Sequence, residues 1–391
     1  MSRLYAPRAV FEAEHQEFRA SVREFLRREV VAHIEEWEDA GDIPRELWGR
    51  AGKQGFLGFG VPEELGGPGV ADYRFRLAMI EEFAKVGATS LAAGFSVHTD
   101  IVLPYLVDLA SPEQAERLLP ALAAGERIGA VAMTEPGTGS DLQGIRTTAR
   151  PDGDGWVLNG SKTFITNGIH ADVVIVVART SDDPAAGSRA FSLFLVEEGM
   201  PGFTRGRRLK KLGLKAQDTA ELSFEEVRLG PQALLGEEGR GLHALMSHLP
   251  MERISIAVTA CAGTRAALEW TVEYVHQRRA FGKEIAEFQN TQFALAEMVT
   301  ELEITQAYVD EAVLRLNRGE LTAVDAAKAK WWATEMHKRT VDRCVQFHGG
   351  YGFMLEYPIA RAYADTRVTT IYGGSTEIMK TIIARDLLGV R

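Results

Sequence analysis

Four segments of the 391-residue chain gather the residue types that handle ligands. AMTEPGTGSD (132–141) strings glycines and small hydroxyls behind an apolar run, so that backbone N–H groups can close on an anionic or planar heterocyclic group. Alone, such a stretch is more often a plain turn. SKTFITNG (161–168) joins a β-branched strand, an aromatic ring and side-chain donors to an Asn-Gly turn. HQRRAFGKEIAEFQNTQ (276–292) sets a basic cluster before Phe281-Gly282-Lys283, where a helix dipole would ordinarily claim the cations but a glycine breaks the helical run. In 346–380, glycines alternate with aromatics, Pro358 follows, and Gly373-Gly374 opens a helix whose free N–H groups suit a polar ligand atom. HLPMERISIAV (248–258) carries Glu252, which on its own reads as an acid complementing a first helical turn begun by Pro250. No segment is a Rossmann GxGxxG or a phosphate-binding P-loop.

Three regions must position these residues. Up to 127 the pattern is helical: Phe18, Val22, Phe25, Leu26, Val30 and Ile34 form one stripe, Gly41 is a stop, and Ser111-Pro112 reads as an N-cap with proline at N1. From 128 to 238, short β-branched runs separated by turns such as Asp152-Gly153-Asp154-Gly155 predict a small β-sandwich or barrel. From 239 to 391, apolar stripes over 253–278, 283–318, 322–350 and 374–388 predict a helical bundle with a surface for a partner subunit. The fold class is therefore α+β, helical then β then helical. A net charge of −10 (44 basic against 54 acidic residues) excludes a phosphate-tracking nucleic-acid binder. Cys261 and Cys344 are too few for a disulfide framework or a thiolate metal site and read as buried thiols of a reducing compartment. The start has no signal-peptide pattern and no long apolar run predicts a membrane span, so the expected location is cytoplasmic.

In this order and spacing, TEPGTGSD, FITNG, RAFGK and QFHGGYGF…EYP…IYGG resemble the acyl-CoA dehydrogenase family over nearly the whole chain. The resemblance implies non-covalent FAD between the domains, a homotetramer in which each flavin touches two subunits, and an electron-transferring flavoprotein as acceptor. It matches Val131, Met133, Thr134, Gly139 and Ser140 to the strand and turn against the isoalloxazine, and Phe164 and Thr166 to its other edge. Arg278, Phe281 and Gln289 match residues reaching a neighbouring subunit's FAD; Gln346, Gly349 and Gly350 match a turn against the same cofactor, and Ser375 and Glu377 a further pair of contacts.

The implied reaction is α,β-dehydrogenation of an acyl-CoA: a carboxylate takes the α-proton and the β-hydrogen leaves as hydride to flavin N5. The thioester carbonyl would be held by a flavin ribityl hydroxyl and the Gly373 N–H, an oxyanion-hole arrangement. Many members carry the catalytic Glu directly after Ile-Tyr, the slot Gly373 fills here. The long-chain and isovaleryl branches carry it in a Glu-Arg pair on a C-terminal helix, which points to Glu252 with Arg253 behind it. Such a base belongs in an apolar pocket that raises its pKa. Ser140, His243, Arg253, Tyr372 and Gly373 match positions on the CoA or thioester side, His243 standing where several relatives have Tyr. IYGGSTEIMK resembles the long-chain branch, implying a straight medium- to long-chain acyl group. The alternatives are an FAD-containing acyl-CoA-binding subunit, for which Gly373 is a lost base, and a relative with altered flavin chemistry such as an oxidase or desulfinase.

Overall fold

The structure, a computed structural model, describes Tyr5 and residues 8–390; residues 1–4, 6, 7 and 391, including the very start of the segment read for a leader, lie outside it. Seven helices open the chain: α1 (Ala13–Glu29), α2 (Ile34–Ala40), α3 (Glu46–Gly52), α4 (Tyr73–Lys85), α5 (Thr89–Ser96), α6 (Leu103–Leu109) and α7 (Pro112–Ala123). Val22, Phe25 and Leu26 bury the predicted stripe of α1. Gly41 ends α2 in the left-handed region at φ 69°, and Ser111 forms a reciprocal capping box with Gln114 at the start of α7.

A π-turn, Val97–Val102, joins α5 and α6 into one continuous helix, Thr89–Leu109. By length and composition this helix could cross a bilayer, which the sequence reading did not anticipate. It lies in the interior, where Asp100 is bound bidentately by Arg76 at 2.6 and 2.8 Å, both side chains buried. His98 bridges the Leu122 carbonyl and the Gly129 N–H, and burial pushes it down to about 4, leaving a neutral ring.

The strands are β1 (Gly129–Ala132), β2 (Thr148–Asp152), β3 (Gly155–Thr166), β4 (Val173–Arg179), β5 (Phe191–Glu197), β6 (Phe203–Arg208), β7 (Thr219–Leu229) and β8 (Leu234–Leu235). They form one sheet in the order β6-β7-β3-β2-β4-β5-β8, with β1 parallel to β4. Ala130, Ala149, Leu158, Val176, Phe194 and Leu222, from six strands, share one core, so the sheet curls over its own inner face. The predicted Asp152–Gly155 hairpin is present.

Five helices complete the chain: α8 (Gly241–Gln277), α9 (Gln289–Asn317), α10 (Ala323–His348), α11 (Pro358–Thr366) and α12 (Thr376–Leu388). Small residues on α8 and α10 let the two helices approach closely; a Cβ on Gly263 would come within 2.7 Å of His337. Two expectations fail here. First, α8 begins at Gly241, not near 253, and runs through Pro250. The proline removes one ladder bond, but Leu242, Leu245 and Leu249 before it and Ile254, Ala257 and Val258 after it are all buried on a continuing stripe. Second, 283–288 is not α-helical: Lys283–Glu284 is a short strand and Ile285–Glu287 a single 3-10 turn. Phe281 (φ 51°) and Gly282 (φ 80°) turn the chain into a hairpin, Arg279–Ala280 against Lys283–Glu284, before α9 starts.

Candidate active site

Glu252 lies on α8 well beyond its first turn, so the reading of it as a first-turn acid is overturned. Its side chain is buried, and the Tyr105 hydroxyl of α6 donates to Oε1 at 3.2 Å. Burial pushes its carboxyl up to about 7, partly offset by that hydrogen bond and by the nearby His248 and Arg253. A carboxyl titrating near neutrality is a usable general base at physiological pH.

The same helix reaches the glycine turn before α12. Arg253 Nε donates to the Gly373 carbonyl at 3.3 Å, and Lys330 Nζ of α10, fully buried, donates to the Gly374 carbonyl at 2.7 Å. Burial, with Arg253 close by, lowers the Lys330 ammonium to about 8. Both glycines have positive φ, 64° and 96°. A Cβ at 373 would sit 2.3 Å from Ile256 Cδ1, one turn along α8 from Glu252. A side chain at 373 therefore needs Ile256 to shift and the backbone to hold a left-handed φ, while Glu252 presents a buried carboxyl one turn before Ile256 on α8. Among the described residues the Gly373 N–H has no acceptor, leaving a donor free on a turn whose carbonyls are held from behind.

The residues matched to the flavin fall into three groups. Val131, Met133 and Thr134 continue half-buried from the end of β1. The buried Lys162 fixes this strand end, donating to the Met133 carbonyl and to Glu135 at 2.9 Å each, while Thr163 N–H donates to the Thr134 carbonyl at 2.9 Å. Facing them, a bulge in β3 holds Phe164 at φ 60° and 68% exposed, with Thr166 half-buried beside it. Neither the Thr134 nor the Thr166 hydroxyl has a partner among the described residues. An apolar ledge with two free hydroxyls fits a planar heterocycle with a polar edge, the character of an isoalloxazine. Gly139 and Ser140 stand exposed on the following loop.

The second group is exposed around the hairpin between α8 and α9, with Arg278 capping α8, Phe281 at the hairpin tip and Gln289 opening α9; Phe281 is 96% exposed and is not brought to Glu252 within one chain. Gln346, Gly349 and Gly350, exposed at the end of α10, complete the third group with Ser375, which caps α12, and the exposed Glu377. Among the substrate-side residues, Arg253, Tyr372 and Gly373 gather at the turn. His243 is exposed on the first turn of α8, nine residues from Glu252 and about 13 Å along the axis, outside this cluster. Tyr105, His248, Ile256 and Lys330 were not singled out by sequence reasoning. The i, i+4 spacing of His248 and Glu252 was a signal hidden by the misplaced helix start.

Family models for the N-terminal, middle and C-terminal domains of acyl-CoA dehydrogenases match residues 12–126, 130–227 and 239–388. The chain is 51% identical over 381 residues to the mitochondrial long-chain specific acyl-CoA dehydrogenase of Sus scrofa, covering 97% of this chain and 88% of that one. It superposes on the crystal structure of an acyl-CoA dehydrogenase from Geobacillus kaustophilus with a TM-score of 0.95 at 46% identity, covering 97% and 100% of the two chains. A glutaryl-CoA dehydrogenase from Mycobacterium smegmatis, solved in complex with FADH2, superposes with a TM-score of 0.90 at 30% identity over 97% and 96%.

Proposed function

The chain belongs to the acyl-CoA dehydrogenase family of flavin-dependent oxidoreductases, and from that premise we propose that it uses FAD and Glu252 to dehydrogenate a straight medium- to long-chain acyl-CoA to the trans-2-enoyl-CoA. The observation that carries the reading is the tie between base and turn. Glu252 is buried and titrates near neutrality, and the adjacent Arg253 holds the carbonyl of the residue whose N–H is free.

The α-C–H of a thioester is a weak acid, so its removal needs the developing enolate oxygen to be stabilised as the proton leaves. The Gly373 N–H donates to that oxygen, and Arg253 and Lys330 keep the donor in place by holding the carbonyls of Gly373 and Gly374. Glu252 accepts the α-proton on its carboxylate. Its burial makes it a stronger base than an exposed Glu and excludes water from the forming carbanion. FAD, when bound, supplies the hydride acceptor for the β-hydrogen. Val131, Met133, Thr134, Gly139, Ser140, Phe164 and Thr166 are assigned to its ring system, Ser375 and Glu377 to a further pair of contacts, and Gln346, Gly349 and Gly350 to the FAD of a neighbouring subunit. His243, Ser140 and Tyr372 are assigned to the CoA and thioester side.

The same proposal includes a homotetramer, in which the exposed Arg278, Phe281 and Gln289 reach a neighbouring subunit's FAD, and an electron-transferring flavoprotein as acceptor. It places the enzyme in the cytoplasm, consistent with two unpaired, buried thiols at Cys261 and Cys344.

The test is E252Q. The purified variant should retain its flavin absorbance, yet fail to bleach when a long-chain acyl-CoA is added anaerobically, a rate loss of about 10²–10⁴. Bleaching at the wild-type rate would remove Glu252 from the mechanism. Wild-type protein that binds acyl-CoA without bleaching would instead identify a binding subunit.

A further inference from the structure

The α6 and α8 helices exchange more than apolar contacts beside the base. Tyr105 and Asp108 share a face of α6, and His248 and Glu252 share a face of α8. Tyr105 is fully buried and makes the one hydrogen bond that Glu252 receives among the described residues. Its ring stacks on the His248 imidazole, with centroids 4.1 Å apart and planes 21° apart. His248 Nε2 lies 2.9 Å from Asp108 Oδ2, and Nδ1 lies 2.9 Å from the Ala244 carbonyl oxygen. Both ring nitrogens face atoms that only accept, so both carry protons and the stacked ring is an imidazolium. Asp108, 61% exposed, is the end of this chain of contacts that meets solvent.

We propose that Asp108, His248 and Tyr105 form a positioning unit for the base: Asp108 holds an imidazolium against the Tyr105 ring, the cation strengthens the phenolic O–H as a donor, and that donor keeps the buried Glu252 carboxylate ionised and aimed. The unit rests on the reading of Glu252 as the base, but Tyr105, His248 and Asp108 act through it. The cation lies over the π-face of a phenol, where the attraction is strongest for a desolvated pair. It withdraws density from the ring and so makes the hydroxyl a better donor to an anion.

The other charged groups facing Glu252 are already committed. Asp100, from the π-turn, is held by Arg76 and accepts from Ser255 and Ser96 at 2.7 Å each. Arg253 is directed at Gly373. The titration of His248 agrees with the geometry: burial alone would lower it, but the hydrogen bonds to Asp108 and Ala244 raise it above the ordinary histidine value.

The experiment is the pH dependence of anaerobic flavin reduction by palmitoyl-CoA in single turnover, with FAD-loaded wild type, Y105F and D108N. Y105F keeps the ring and removes the donor. Its apparent pKa for reduction should rise by about one unit, so that bleaching slows about fivefold at pH 7 and recovers at pH 9. D108N acts from the exposed end and should move the profile in the same direction by less, with an unchanged urea midpoint. Superimposable profiles for all three proteins would overturn the proposal and leave Tyr105 a packing residue. If Y105F fails to fold, D108N decides alone: a shifted profile supports the unit and an unshifted one refutes it. E252Q, run alongside, separates the two levels, since bleaching by that variant refutes the base itself and not merely its support.

Discussion

Gly373 provides the sharpest test of why the base sits on α8. Replacing it with alanine puts a Cβ 2.3 Å from Ile256 Cδ1, while the next atom of that side chain, Cγ1, would be at a comfortable 3.9 Å. Two costs arise. Holding a non-glycine residue at φ 64° costs about 1–2 kcal/mol, and forcing a methyl into occupied space costs about 1–3 kcal/mol. Ile256→Val removes the offending Cδ1 and nothing else, at about 0.5–1.5 kcal/mol on its own. The double variant G373A/I256V should therefore keep only the backbone cost and the small truncation cost, giving a favourable coupling of about 1–3 kcal/mol in a double-mutant cycle. Urea unfolding of the flavin-loaded proteins measures the cycle. Stopped-flow reduction reads the function, since a turn displaced by about 1 Å should slow the chemistry about 100-fold in G373A, with most of that loss recovered in the double variant. Strict additivity of the single changes, in stability and in rate, would show that Ile256 does not close the 373 position.

Two further outcomes follow from buried charges. K162M should destabilise the protein by about 3–5 kcal/mol, because it strands the buried Glu135 carboxylate, and it should lower bound flavin per chain by loosening the Met133–Thr134 strand end; absorbance ratios and urea titration check both. Glu252 ionises near 4.3 when unfolded but near 7 when folded, so between those values the native state holds the extra proton and stability declines as pH rises. E252Q abolishes that decline: its stability relative to wild type should climb by about 3 kcal/mol from pH 4 to pH 8, and a flat difference across that range would contradict the buried, ionising carboxyl.

Much of this was legible in the sequence where local pattern and global packing agree. The stripe of Val22, Phe25 and Leu26, the Ser111 cap and the β-branched runs each dictate one local structure, and the tertiary fold keeps it. Pro250 misled because its local penalty is fixed while the burial that overrides it is spread over six apolar neighbours on both sides, a sum no window of sequence displays. Residues 283–288 misled in the opposite sense: their composition suits a helix, but two successive positive φ angles redirect the chain. Glu252 could be singled out through the Gly373 vacancy and the Glu-Arg pair. Tyr105 and Lys330 could not, since a tyrosine or lysine on an apolar helical face looks like core or snorkelling surface until the partner helix is placed.

α8 is a ruler. From Glu252 to its last turn beside Arg278 it runs without a break for about 39 Å, so the separation between the proton acceptor of one chain and the exposed arginine and phenylalanine at the far end is set by a count of residues. Adding one residue anywhere in that interval would advance the tip by about 1.5 Å and swing it about 100° around the axis, taking the hairpin out of line even though each half of the helix stayed intact. Length variation can be absorbed in loops such as 180–190, but the stretch between 252 and 278 has no slack to give.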